Sequence, residues 1–221
     1  MPQGHNAIRG PKLLVTGFGS FPGVRINPTT ALMERLCKRL GRSLDGSSVA
    51  GARLFVSYAR ALRDLEASDR ANQPDAFLLL GLASRAHWVR VERYGRRLDS
   101  PLQPDSTGKG GSGFAGDSAT PLKATVTPEP ALAQLRRAGI RARLSPSAGR
   151  YLCNAVYAGA LTQANGRPTL FIHVPWPRPG AGQVPRARVA HWRPSLTDLE
   201  HGLARIGRDL IIKARSRLEQ D

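Results

Sequence analysis

Two apolar runs that each close on glycine constrain the fold of this chain more than any other feature. Leu13-Leu14-Val15-Thr16-Gly17-Phe18-Gly19 and Ala76-Phe77-Leu78-Leu79-Leu80-Gly81 carry no charge and show no alternation of apolar and polar positions. A strand with one wet face alternates, whereas a strand covered on both faces reads as continuous apolar sequence. Thr169-Leu170-Phe171-Ile172-His173-Val174 is a third run of this kind, 49–59 is rich in strand formers, and Ala142-Arg143-Leu144-Ser145-Pro146 is a shorter strand. Between them, residues 28–40, 60–71, 130–138 and 154–163 read as helices, the first with Leu32, Leu36 and Leu40 at helical spacing. A last helix is predicted over 195–218, with Ser195 as N-cap and Leu196, Leu199, Leu203, Ile206 and Leu210 along one face. Strands alternating with helices predict an α/β fold, a single three-layer α/β/α domain with a mostly parallel open twisted sheet. The expected domain spans 12–221, with a flexible tail at 1–11. The stretch 100–122, rich in Gly, Pro, Ser and Asp, is expected to be a lid or edge loop.

Composition narrows the function classes. At 221 residues with 41% apolar and 22% charged side chains, the chain has material for a substantial core and is not a disordered polymer. No apolar run approaches the roughly 20 residues of a membrane-spanning helix, and the first twelve residues contain no apolar signal segment. Two cysteines, Cys37 and Cys153, supply neither a disulfide framework nor a metal-ligand spacing. A cytoplasmic protein with no metal, no cofactor and no membrane partner is the expectation. The 33 basic against 16 acidic residues give a net charge of +17, which raises the question of a nucleic-acid partner. Only five of the 33 are lysines, the arginines are spread through every segment, and aromatic residues make up 6%, so no specific nucleic-acid partner is expected.

In open parallel sheets, functional groups gather at the carboxyl ends of the strands. Gly17-Phe18-Gly19-Ser20-Phe21 follows the first predicted strand, the segment 81–92 follows the third, and His173 stands near the end of the last. Cys153 lies at the entrance of a predicted helix, where unpaired amides and the helix dipole favour a thiolate. Cys37, inside a helix pattern, reads as a small buried hydrophobe. A thiol at a helix start, an imidazole at a strand end and the Glu92 carboxylate beyond another strand are the parts of a thiol hydrolase.

These residues also resemble a known family, the type I pyroglutamyl peptidases or pyrrolidone-carboxylate peptidases. Leu14-Val15-Thr16-Gly17-Phe18, then Phe21, Gly23 and Asn27-Pro28, is similar to that family's opening motifs. Pro74-Asp75 before an apolar strand, then Gly81 and Glu92-Arg93, follows a second pattern. Ser147-Ala148-Gly149-Arg150-Tyr151-Leu152-Cys153-Asn154 resembles its AGxxxCN signature, and Phe171-Ile172-His173-Val174-Pro175 its FIHxP. The resemblance covers about residues 12 to 215. It implies a cysteine peptidase that removes an N-terminal pyroglutamyl residue from peptides, with Cys153 as nucleophile, His173 as general base and Glu92 as the carboxylate that orients it. It further implies that Phe18 and Phe21 contribute to the lactam pocket, with Asn27 beside them, and that the protein forms a dimer or tetramer.

The chain departs from the family in the loops that shape the pocket. Gly81-Leu82-Ala83-Ser84-Arg85-Ala86 stands where the family reads GQAGGR, Glu92-Arg93-Tyr94-Gly95-Arg96-Arg97 where it reads ERVAIN, and Leu102-Gln103-Pro104-Asp105-Ser106 where it reads RIPDN. The alternative these changes leave open is a homologue of altered specificity, or a non-catalytic one acting as a basic binding protein.

Overall fold

A computed structural model describes residues 9–42, 46–96, 100–111, 120–179 and 192–220. Its main sheet has six strands in the order β2 (Ser48–Leu54), β1 (Lys12–Phe18), β3 (Ala76–Leu82), β8 (Thr169–Val174), β4 (Val89–Glu92) and β7 (Ala142–Ser145). The first four are parallel; β4 runs antiparallel to β8, and β7 runs parallel to β4. A two-stranded ribbon pairs β5 (Tyr94–Gly95) with β6 (Leu122–Lys123). Helices α1 (Pro28–Leu40), α3 (Glu129–Arg137) and α5 (Leu196–Leu218) cover one face, and α2 (Tyr58–Asn72) and α4 (Leu152–Gln163) cover the other. This is the expected mostly parallel sheet between two helical layers. No helix among the described residues is long and apolar enough to cross a membrane.

Local chemistry accounts for most element boundaries. Asn27 caps α1 by accepting from the Thr29 amide, Pro28 supplies a preset first-turn φ, and Lys38 and Arg39 face the negative end of the helix dipole. Ser195 and Asp198 form a reciprocal capping box on α5, whose Leu199, Leu203, Ile206 and Leu210 are buried against the sheet and α1.

Two segments differ from the expected pattern. The strand expected over 49–59 stops at Leu54, because α2 begins at Tyr58. Ser57 offers α2 no side-chain cap; the missing acceptor arrives from 47 residues away, as Asp105 Oδ2 takes the Tyr58 amide at 2.9 Å. Residues 89–92, expected only as part of a segment following a strand, are themselves the strand β4.

Part of the expected 100–122 loop, residues 112–119, lies outside the described residues. Residues 100–111 fold back onto α2 around Asp105, which also accepts from the Thr107 amide and hydroxyl and from the Lys109 amide. Burial opposes the Asp105 charge, yet these hydrogen bonds hold its carboxyl well below the usual carboxylate range. Most of the expected tail, residues 1–8, is likewise outside the described residues. Arg9 forms a two-pronged ion pair with Asp75 at 2.8 and 2.9 Å, and Asp75 also accepts from the Lys12 amide.

Candidate active site

His173, the fifth residue of β8, stands opposite Gly81 on one side and Arg90 on the other. Because side chains alternate along a strand, Phe171 and His173 share a face, and so do Arg90 and Glu92 on β4. Glu92 is in register with Phe171, which brings its carboxylate diagonally beneath the imidazole. His173 Nδ1 and Glu92 Oε1 are 2.8 Å apart, with His173 6% exposed and Glu92 fully buried. The other carboxylate oxygen, Oε2, is buried with no partner among the described residues. The imidazole is braced from the side by Phe171, 4.8 Å between ring centroids, and Phe171 in turn by Tyr157 at 5.4 Å. Tyr157 Oη donates to the Glu92 carbonyl at 3.2 Å and so ties α4 to β4, while burial pushes the phenol pKa up.

Gly81 is the residue that makes room for this stack. A Cβ there would lie 2.8 Å from Phe171 Cε1 and Cζ and 2.9 Å from His173 Cδ2. Any side chain at this position collides with both rings.

Cys153 occupies the first turn of α4, partly exposed, with Tyr151 as N-cap. The chain reaches it through Gly149, whose φ of +95° is open to glycine and strained for other residues. Asn154, fully buried, accepts from the Arg96 amide at 2.8 Å and donates to the Arg96 carbonyl at 2.6 Å, which clamps the segment after β4 onto the helix start. Tyr151 Oη donates to the Pro104 carbonyl, and its ring meets Tyr58 edge-on at 5.7 Å, so the 100–111 segment buttresses the turn that carries the thiol. Burial works against a charged His173, but hydrogen bonding and charge from Cys153, reinforced by Glu92, overcome it and push the imidazole pKa up from 6.5 to about 9. The ring thus has a carboxylate at Nδ1 and interacts with the thiol as well. Glu92 and Cys153, predicted from separate parts of the chain, thus both act on the His173 imidazole.

Phe18, Phe21 and Asn27 lie together at the carboxyl end of β1, separated from β8 by β3. Phe18 is buried within the core, and Phe21 is half-buried in a tight bridge with Val24. Asn27 is committed to its own loop, donating to the Gly19 carbonyl at 3.0 Å and accepting from the Thr29 amide and hydroxyl. Cys37 stands apart on α1, where burial pushes its thiol up to about 11. Among the described residues no group of three or more His, Cys, Asp or Glu is placed to hold a metal ion. Sequence reasoning passed over Tyr157 and Arg90. Tyr157 carries no signal beyond its helix position, whereas a charge two residues before Glu92 does mark the same strand face.

A profile of the pyroglutamyl peptidase family matches residues 11–191. Among curated proteins, the chain is 33% identical over 175 residues to a pyrrolidone-carboxylate peptidase of Erwinia tasmaniensis, covering 75% of this chain and 78% of that one. It is 32% identical over 197 residues to the pyrrolidone-carboxylate peptidase of Pyrococcus furiosus, covering 79% and 88%. The solved pyrrolidone carboxyl peptidase of Thermus thermophilus superposes with a TM-score of 0.74 at 31% identity, over 87% of this chain and 96% of that one. By profile, sequence and fold together, the chain belongs to the pyroglutamyl peptidase family.

Proposed function

We propose that this chain is a cysteine peptidase that removes an N-terminal pyroglutamyl residue from peptides by a Cys153-His173-Glu92 mechanism. The observation that carries the reading is the buried 2.8 Å contact between His173 Nδ1 and Glu92 Oε1, on an imidazole that also interacts with the thiol at the start of α4. Glu92 fixes the tautomer and orientation of the ring and supports its positive charge. The imidazolium is the counter-charge for a thiolate nucleophile.

Attack of the Cys153 sulfur on the pyroglutamyl carbonyl forms a tetrahedral intermediate. Its collapse breaks the amide C–N bond as His173 gives its proton to the departing amine. Water, deprotonated by the same imidazole, then cleaves the thioester and releases pyroglutamate. The Asn154 and Ala155 amides turn back to the Tyr151 carbonyl, so the Leu152 and Cys153 amides are the first-turn donors assigned to the oxyanion. Phe18 and Phe21 supply apolar surface toward the lactam ring, and Asn27 holds the loop that carries Phe21.

The test is hydrolysis of a fluorogenic pyroglutamyl amide by the purified protein, alongside Cys153→Ser and His173→Ala. Turnover that is lost in both variants, with the fold retained by circular dichroism, is the expected result. A folded wild-type protein that leaves the substrate untouched would overturn this reading in favour of a homologue of altered specificity or a non-catalytic one.

A further inference from the structure

The strand order divides the mouth of the site into two sides. On one side of His173 lie β3 and then β1, whose last residue is Phe18 and whose following loop carries Phe21 and Asn27; on the other lie β4 and then β7. If the lactam ring takes the β1 side, the departing amine, which His173 must protonate, extends over β4 and β7. That side is cationic.

Arg90 stands opposite His173 across the antiparallel β4–β8 pair and two residues before Glu92, so it shares their face. Side chains opposed in this way have Cβ atoms about 5 Å apart. Arg143 is in register with Arg90 on the edge strand β7 and therefore extends the same face outward. Arg90 is half-buried, and its Nε is buried with no hydrogen-bond partner among the described residues. None of the ion pairs among the described residues includes Arg90 or Arg143. The one carboxylate on this face of β4, Glu92, is engaged by His173. A buried Nε–H without an acceptor is costly to maintain unless something supplies one.

We infer that Arg90, extended by Arg143, is a specificity-determining subsite for a carboxylate on the residue released from the pyroglutamyl group. The inference rests on the peptidase reading and adds a substrate class to it: pyroglutamyl peptides whose next residue is acidic, or dipeptides whose free carboxyl terminus lies there. Guanidinium and carboxylate match as a planar two-pronged pair.

The experiment measures kcat/KM at low ionic strength for pyroglutamyl-Glu-amide, pyroglutamyl-Gln-amide, pyroglutamyl-Lys-amide and pyroglutamyl-Gln free acid. Wild-type protein and Arg90→Gln are compared. The wild type is expected to favour the Glu amide over the Lys amide by about tenfold, and Arg90→Gln to reduce that ratio to about twofold. The ratio is the readout, since a folding defect lowers all four rates alike. A preference for the Glu side chain or for the free acid supports the subsite and identifies which carboxylate it takes. Equal rates for charged and neutral leaving residues overturn it. So does a preference that survives Arg90→Gln, which would come from the general +17 charge. Failure to hydrolyse any of the four overturns the peptidase reading and this inference with it, a result distinct from hydrolysis without charge preference.

Discussion

Gly81→Ala isolates the packing that sets the imidazole. The added methyl would lie 2.8 Å from two Phe171 ring atoms and 2.9 Å from His173 Cδ2. Carbon atoms in comfortable contact are 3.5–4.0 Å apart, so the rings must retreat by about 0.7 Å or more. Phe171 has nowhere to go, since it is fully buried with Tyr157 tilted against it. The displacement therefore falls on His173 or on the β3–β8 pairing itself. Overpacking of this kind costs about 1–3 kcal/mol of stability, and each kcal/mol lowers Tm by about 2–4 °C in a chain of this size. The kinetic effect is larger: misplacing a reacting group by about 1 Å reduces the rate on the order of 100-fold. The loss should appear in kcat, because the imidazole acts on the proton in flight, with KM changed little.

Gly202→Ala is the matched control, because its methyl would lie 2.8 Å from Ile140 Cδ1 on the opposite, α3–α5 face of the sheet. Thermal unfolding and pyroglutamyl amide hydrolysis at 25 °C are measured for both variants. The control should keep wild-type kcat at a temperature where it remains folded. Wild-type kcat in Gly81→Ala, with the variant folded, would refute the claim that the room left by Gly81 sets the position of His173.

Two further outcomes follow from the same site. Iodoacetamide at neutral pH should label Cys153 and spare Cys37, whose thiol is pushed up to about 11; peptide mapping that finds Cys37 modified first would contradict the assignment of the nucleophile. The His173 pKa is raised from 6.5 to about 9, so its protonation contributes stability that is fully present below pH 6.5 and is lost as pH rises through about 9. Urea unfolding of wild type minus His173→Gln should show that loss between pH 6.5 and 9.5, with Glu92→Gln moving its upper end downward; a pH-independent difference would show that His173 is not held charged.

How legible each part of the site was depended on what its strand must bury. The strands β1, β3 and β8 are covered on both faces, so their sequences are continuously apolar and their ends could be placed from sequence, together with His173. The helix start at Cys153 was legible from its position and from the AGxxxCN pattern. The start of α2 was not, because the group that caps Tyr58 is Asp105, and hydrogen bonds across 47 residues leave no local signal. The Glu92–His173 contact was likewise beyond reach, since it depends on the register of two strands separated by 76 residues of chain. The family resemblance named both residues but gave no geometry for their meeting.

The strand β4 was obscured by its function. Val89-Arg90-Val91-Glu92 alternates apolar with charged residues, the pattern of a strand with one wet face. Both valines are fully buried, and the two charged positions face not bulk water but the site. Its direction matters as well. Because β4 runs against β8, its final residue Glu92 pairs with Phe171, inward of His173, rather than standing at the rim where a parallel strand would leave it. The carboxylate consequently reaches the imidazole from within the sheet, where Glu92 is fully buried, while the thiol approaches from the partly exposed start of α4. Reversing one strand thus separates the dry Glu92 carboxylate from the partly exposed Cys153 thiol, as the proposed roles of orienting group and nucleophile require, and it leaves Arg90, toward the other end of β4, beside His173.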